Sequence, residues 1–434
     1  MPASLPVSWW LLAPLAAAAA CILGLVLLGK VPLRYNLRNL LVRWKTTAVT
    51  AVAFTLVLAP LTVLLGFVKG MNGVMESSGR PGNVLILSGG ATDEMFGYLA
   101  PTDIDRVPWQ PQLQPLLARD GDGRPLFSRE VYLVVNQPLP WAEIERRLVQ
   151  LRGIEDPELA ARVHGLQLLE GGRWFSPSGV RDDDIEAVLG QGVAREFGDE
   201  VQGRPFRVGD RFEVGPRRWV TAGILKSAGT AFDSEIWAKA SLVQTFGKKD
   251  LYSSMVLCTR DAGTASAAAE ILRSWKQSAL WALPETEYYH KLAETNRQFM
   301  VVIWFITAVM AVGGALSVMN TMFAATSHRT RDVAMLRVLG FARWQVLVSF
   351  LLEAVAIGLA GGSLGVALGS LANGWTVDTI VGSVLAGGKP VMLQVVVGAD
   401  TLAAGLLVTL AIALLGGLLP ALSVIRSRPL EAFR

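Results

Sequence analysis

Charge, cysteine and histidine are all scarce in this chain. Of its 434 residues only 18% are charged while 52% are hydrophobic, against about a quarter charged in soluble globular domains. The shortage is local: whole stretches carry no charge, and a run of about 18 or more apolar residues reads as a membrane span. Of the two cysteines, Cys21 lies in an apolar run and Cys258 in a strand-like run of the polar section. Facing different solvents, they do not suggest an internal disulfide, and they leave the redox compartment open. The three histidines, His164, His290 and His328, are scattered, so no zinc-type spacing exists. No Gly-x-x-x-x-Gly-Lys-Ser/Thr loop occurs, because neither Lys45-Thr46 nor Lys226-Ser227 has the preceding glycines. That excludes a phosphate loop for ATP within these residues. A net charge of +4 and the lack of nucleic-acid signatures leave no case for a nucleic-acid partner.

What is present is apolar and ordered. Residues 7–29 are uncharged and have no basic residue before them. A cleaved signal peptide wants a basic start and a shorter apolar core, so 1–29 is expected to hold a retained N-terminal span. In residues 30–45, Leu33, Leu37, Leu40, Leu41 and Trp44 repeat at helical spacing, with Arg34, Arg38 and Lys45 on the other side. This predicts an amphipathic helix on the membrane surface, or a basic flank of the next span. Further spans are expected at 46–68, 299–326, 346–372 and 402–425. Between them 69–297 is polar. Strand-like runs occupy 83–87, 130–135, 207–214, 219–225 and 255–259, and helix-like runs 141–151, 184–197 and 262–280. Residues 285–297 run into the third span without an evident break, which predicts one long helix. Short basic segments at 30–45, 328–343 and 426–434 all fall on one side of the membrane when spans are counted. That side is the cytoplasm by the positive-inside rule, and the large polar section lies outside. The fold class expected is a polytopic α-helical membrane protein with a large extracytoplasmic α/β domain.

The most specific stretch is Ser327-His328-Arg329-Thr330-Arg331-Asp332-Val333-Ala334-Met335-Leu336-Arg337-Val338-Leu339-Gly340-Phe341-Ala342-Arg343, followed by Phe350-Leu351-Leu352-Glu353-Ala354. With Gly417-Leu418-Leu419-Pro420-Ala421 and the tail Pro429-Leu430-Glu431-Ala432-Phe433-Arg434, it resembles the MacB/FtsX (type VII) permeases of ABC transporters. Asp332, Ala334, Val338 and Phe341 depart from the common residues there. Weaker likeness extends to 165–175 and 220–225.

The resemblance implies a periplasmic MacB-like domain over 69–297, with an inserted part near 145–245, and an FtsX-like domain over 298–434. It makes 328–343 a cytoplasmic coupling helix. Arg331, Asp332, Val333, Met335, Leu336, Arg337, Leu339, Gly340 and Arg343 are its candidate residues for docking an ATPase. It also implies two copies of a cytosolic ABC ATPase that bind ATP and magnesium, a second copy of this chain, and a location in the bacterial inner membrane. A periplasmic adaptor and an outer-membrane channel are further partners of such a system. The activity implied is ATP-driven extrusion of a substrate from the periplasm or outer leaflet. The alternatives are an FtsX-like signalling subunit controlling an envelope enzyme and an ATPase-independent receptor. The substrate is left open, no catalytic or cofactor site is expected in the chain, and the N-terminal span departs from the family's usual four.

The remaining signals favour structure. From spacing alone 328–343 reads equally well as a membrane-surface helix. Glu353 inside a span is costly and a functional candidate by default, but it lies near a span end where an arginine can pair with it. Gly358, Gly361, Gly362, Gly365 and Gly369 recur at three- and four-residue steps, a small-residue pattern for close helix packing within one subunit or between two. Gly361-Gly362-Ser363-Leu364-Gly365 matches the hydrolase elbow but sits in an apolar helix. Asp182-Asp183-Asp184 lacks calcium-loop spacing and reads as a solvated helix start. Trp9, Trp10, Trp44, Trp304, Trp344 and Trp375 fall near span ends, as interfacial belts do.

Overall fold

In a computed structural model, residues 44–138, 146–227, 229–275, 279–295, 297–327, 337–381 and 389–426 are described, with 38, 40, 42, 333 and 335. The expected span at 7–29 lies outside them. Of the amphipathic segment, Arg38, Leu40 and Val42 carry helical backbone.

Helix α1 (Trp44–Ser78) leads into β1 (Asn83–Ser88), the short helix α2 (Pro101–Ile104), β2 (Phe127–Pro138) and β3 (Arg146–Ile154). Then come α3 (Pro157–His164), β4 (Val180–Arg181), β5 (Asp184–Leu189), α4 (Gln191–Gln202), β6 (Arg211–Val214) and β7 (Arg217–Ile224). The outer run ends with β8 (Glu235–Lys239), α5 (Ala240–Gly247), β9 (Ser254–Cys258), α6 (Ala262–Arg273) and β10 (Leu280–Pro284). Helices α7 (Glu285–Thr295) and α8 (Arg297–Ser327) stand on either side of residue 296, so the expected unbroken helix there lies partly outside the described residues. Last come α9 (Arg343–Ser370), β11 (Thr376–Val381), β12 (Lys389–Gln394) and α10 (Ala399–Arg426).

The chain divides into two compact units. The first takes Met1–Lys69, Phe299–Trp375 and Val395–Arg434, and the second Gly70–Gln298 and Thr376–Gln394.

The first unit is helical. Among the described residues four helices are long and apolar enough to cross a membrane: Trp44–Ser78, Val301–Ala324, Arg343–Ser370 and Ala399–Ser423. Such helices are apolar on every side because their surroundings are apolar too. Pro60 sits inside α1 without ending it. The glycine series of α9 is what lets three helices close up. A β-carbon at Gly361 would strike the Ala51 carbonyl oxygen, and one at Gly365 would lie 2.9 Å from the Thr55 carbonyl oxygen of α1. Gly362 meets the Thr409 side chain of α10, and a β-carbon at Gly358 would lie 2.9 Å from Ala413 Cβ. The Thr55 hydroxyl donates to the Gly361 carbonyl at 2.8 Å. Glu353 is buried on this helix.

The second unit is built on one sheet, with the order β10-β1-β9-β2-β3-β8-β5-β7-β6 and β4 paired to β5. The pairs β3–β8 and β5–β7 are parallel, and the other pairs are antiparallel. Its core joins Val84, Ile86, Val131, Leu151, Trp219, Ile236 and Leu257 of the strands to Ala265, Ala268 and Leu272 of α6.

Three expectations change here. The run 184–197 is not one helix: Asp184–Leu189 is a strand buried at every position, so it shows no helical periodicity, and Gly190 separates it from α4. Asp182 and Asp183, with φ of 52° and 67°, form the turn from β4 to β5 rather than a helix start. Aspartate tolerates that left-handed backbone. The second half of 141–151 is the strand β3. Between the spans expected at 346–372 and 402–425 lies the hairpin β11–β12, paired from Thr376↔Gln394 to Val381↔Lys389. It belongs to the sheet unit. The Met392 backbone N–H donates to Ser234 Oγ at 2.7 Å, and Thr376 Oγ1 bonds Glu196.

Candidate coupling site and a buried ion network

The segment between α8 and α9 ends as a helical turn and restarts as a cap. Residues 333, 335, 337 and 338 have helical backbone. The Leu339 N–H donates to the Met335 carbonyl at 2.9 Å and the Gly340 N–H to the Arg337 carbonyl at 3.2 Å. Gly340, at φ +96°, takes a backbone that glycine alone adopts without strain, and so ends the turn. The Ala342 N–H then donates to Gln345 Oε1 at 2.7 Å, satisfying a free amide at the start of α9.

The side chains on this turn divide sharply. Val333 is only 6% exposed and lies in a core with Val318, Met322, Val346 and Phe350. Met335, Val338 and Leu339 are 56%, 74% and 74% exposed. Arg343 is exposed and Arg337 half-buried. Val333 therefore anchors the segment, while three large apolar side chains stand free with basic groups beside them. Leu336, Arg331 and Asp332 lie outside the described residues. Among the segment's described residues no nucleophile is paired with a base. No cluster of His, Cys, Asp or Glu suited to a metal occurs among the described residues. What it can do is bind another surface.

The sheet unit contains a feature that the sequence did not reveal. Arg152 on β3 is 1% exposed and spends all five N–H donors on three carboxylates. Nε and Nη2 bond both oxygens of Glu235 at 2.7 and 2.9 Å, and Nη1 and Nη2 bond Glu94 at 2.9 and 3.1 Å. Nη1 also bonds Glu130. The rings of Tyr132, Trp237 and Phe232 surround the guanidinium, with centroids 5.3, 5.5 and 5.7 Å away. On the other side Glu130 Oε1 lies 2.6 Å from His164 Nε2.

Burial opposes ionisation of Glu130, but His164 and Arg152 outweigh it and hold its pKa down to about 2. Burial likewise opposes charge on His164, and Glu130 overrides it, lifting the imidazole to about 10. His164 is the last residue of α3, before the left-handed Gly165, where a helix end also favours a cation. The residues come from five separate places in the chain. Their only sequence signal is a charged residue at an inward position of an apolar strand, as with Glu130, Arg152 and Glu235.

Comparison with known proteins agrees with this architecture. The MacB-like periplasmic core domain matches residues 47–274, and the FtsX-like permease C-terminal domain matches 304–429. The chain belongs to the MacB/FtsX family of ABC transporter permeases. No ATPase domain is matched in it. It is 24% identical over 239 residues to the macrolide export ATP-binding/permease protein MacB of Bdellovibrio bacteriovorus, covering 49% of this chain and 36% of that protein. This chain thus spans about a third of that relative. It is also 24% identical to the uncharacterized ABC transporter permease YknZ of Bacillus subtilis, covering 65% of this chain and 69% of that one. Among solved structures, the periplasmic region of MacB from Actinobacillus actinomycetemcomitans is similar at a TM-score of 0.33 and 14% identity, covering 52% of this chain and 94% of that one.

Proposed function

We propose that this chain is the transmembrane subunit of a MacB-like ABC transporter. An ATPase outside these 434 residues docks on the turn before Gly340, and its ATP-driven motion passes through the membrane helices to the sheet unit. The observation that carries the reading is the exposed Met335, Val338 and Leu339 held out by a buried Val333. Large apolar groups in water at a helix-to-helix turn are what a partner groove takes up. The positive-inside rule supports placing this turn in the cytoplasm of a bacterial cell and the sheet unit in the periplasm. The proposal includes two copies of the chain with two ATPase subunits, which bind ATP and magnesium, and release of a substrate from the periplasm or outer leaflet.

The test is affinity capture of the detergent-solubilised chain from its native membrane, with the bound proteins identified. A stoichiometric phosphate-loop ATPase is expected with the natural chain and is expected to be lost with Val338→Glu/Leu339→Glu. Capture that is unaffected by those charges, or no ATPase from intact dimers, overturns the reading. Co-eluting envelope proteins then tell export from signalling: an adaptor or channel points to the first, a hydrolase to the second.

A further inference from the structure

The chain enters the sheet unit within α1 and leaves it after α7, and inside the unit the end of α1 and the start of α7 converge on one carboxylate. Glu285 is the first residue of α7 and follows Pro284, which pairs with Val84 at the start of β1. Its Oε2 accepts the Arg80 backbone N–H at 3.1 Å and Asn83 Nδ2 at 2.8 Å. Arg80 belongs to the turn after α1 and Asn83 is the first residue of β1. The backbones are close as well: a β-carbon on Gly79 would lie 2.9 Å from Thr286 Cα and 3.1 Å from the Glu285 carbonyl oxygen.

The second oxygen of Glu285 is differently placed. Oε1 stands 3.7 Å from His164 Nδ1, too far for a hydrogen bond. That nitrogen is buried and has no hydrogen-bond partner among the described residues. The same ring is fixed on its other side by Glu130 at 2.6 Å. An approach of about 0.8 Å would bring Oε1 to an ordinary N–H···O distance and satisfy a donor whose isolation is costly. Tyr288, three residues along α7, reaches Asp93 at 3.2 Å and gives the helix a second hold on the same unit.

We propose that Glu285 clips the end of α1 to the start of α7, so that both move as one body, with the His164 ring as the fixed group onto which the clip closes. The mechanical use of this clip rests on the coupling reading above; the clip itself does not.

The experiment is amide hydrogen exchange on the full chain in lipid nanodiscs. Glu285→Ala is expected to raise exchange at least tenfold in residues 79–84 and 285–292 together, leaving β5 and β7 unchanged. Asn83→Ala, which removes the bond to Glu285 together with one to the Val163 carbonyl and strands no charge, is expected to give a smaller rise with the same pairing. It decides the matter should Glu285→Ala not fold. A rise in one segment alone, or in neither, overturns the clip. With three histidines in the chain, 15N-histidine labelling resolves His164, assigned by His164→Gln. Glu285→Gln is expected to shift its Nδ1 signal, and an unmoved signal removes His164 from the proposal.

With the captured ATPase, Glu285→Ala is expected to keep binding but lose any nucleotide-dependent change in exchange at 285–292; an undiminished change overturns the clip's mechanical role. If the natural chain captures no ATPase, the coupling reading falls, and the paired exchange still decides the clip.

Discussion

Arg152 shows what one buried cation does when three carboxylates depend on it. Replacing a whole buried ion group with apolar residues is often neutral, but removing one partner strands the others. Arg152→Met leaves Glu94, Glu130 and Glu235 buried without their shared donor. The expected loss is about 3–5 kcal/mol, read as a lower unfolding temperature of the sheet unit. An unchanged transition would show that the carboxylates find other partners. The same network sets a pH dependence. His164 rises from 6.5 to about 10 on folding, so its contribution is complete below pH 6.5 and is lost as pH climbs through about 10. Glu130 falls from 4.5 to about 2, so its contribution is complete above pH 4.5 and is lost as pH drops through about 2. For this pair stability is therefore greatest between about pH 4.5 and 6.5. His164→Gln is expected to flatten the alkaline limb of a melting-temperature profile, and a limb of the same slope would place the proton elsewhere.

At the scale of elements, the glycine series of α9 was legible as a packing face, but which neighbour it met was not. Periodicity reports that a face is small; it does not name the surface opposite. In the structure Gly361, Gly365 and Gly369 meet the backbone of α1, while Gly358 and Gly362 meet α10. Backbone cannot swing aside as a flexible side chain can, so Gly361→Val must push two helices apart. Overpacking costs about 1–3 kcal/mol where side chains can adjust, and this site is expected to reach at least that range. The neighbouring Gly313 on α8 has open space around it, so Gly313→Ala is expected to be neutral in the same thermal scan of the solubilised chain. Equal effects at the two positions would refute the helix contacts. The same contrast explains which strands were legible. The runs at 83–87 and 255–259 are short, apolar and bounded by turns. Asp184–Leu189 is buried throughout but carries Asp184 and Glu186, Asp182-Asp183-Asp184 imitates a helix start, and only the left-handed pair settles it as a hairpin. At the turn before α9, Gly340 and Val333 both entered the sequence reading as docking candidates. The stop at Gly340 was not read there, and the inward turn of Val333 depends on Val318, Met322 and Val346 from two other helices.

For the whole molecule, the division into units follows the chain only in part. The backbone passes between them four times, at 69/70, 298/299, 375/376 and 394/395. The last two passages belong to the hairpin β11–β12. A sequence reading treats residues 373–400 as a loop between two spans because nothing local says where a hairpin packs. Met392 in the sheet-unit core and its backbone bond to Ser234 Oγ at 2.7 Å are contacts over 158 residues of separation. Arg147 of β3 reaches the Met392 sulfur at 3.7 Å. The hairpin thus makes the sheet unit's core depend on a segment encoded between α9 and α10. Replacing residues 376–394 with a flexible linker of equal length should therefore destabilise the sheet unit selectively. Amide exchange is expected to rise first around Ser234 and β8, where the hairpin contacts end, while α9 and α10 keep their protection through Gly362 and Thr409. Because α9 and α10 remain joined, capture of the ATPase at the turn before Gly340 should survive. Protection lost from α9 and α10 but kept at β8 would mean that the hairpin serves the helices rather than the sheet unit.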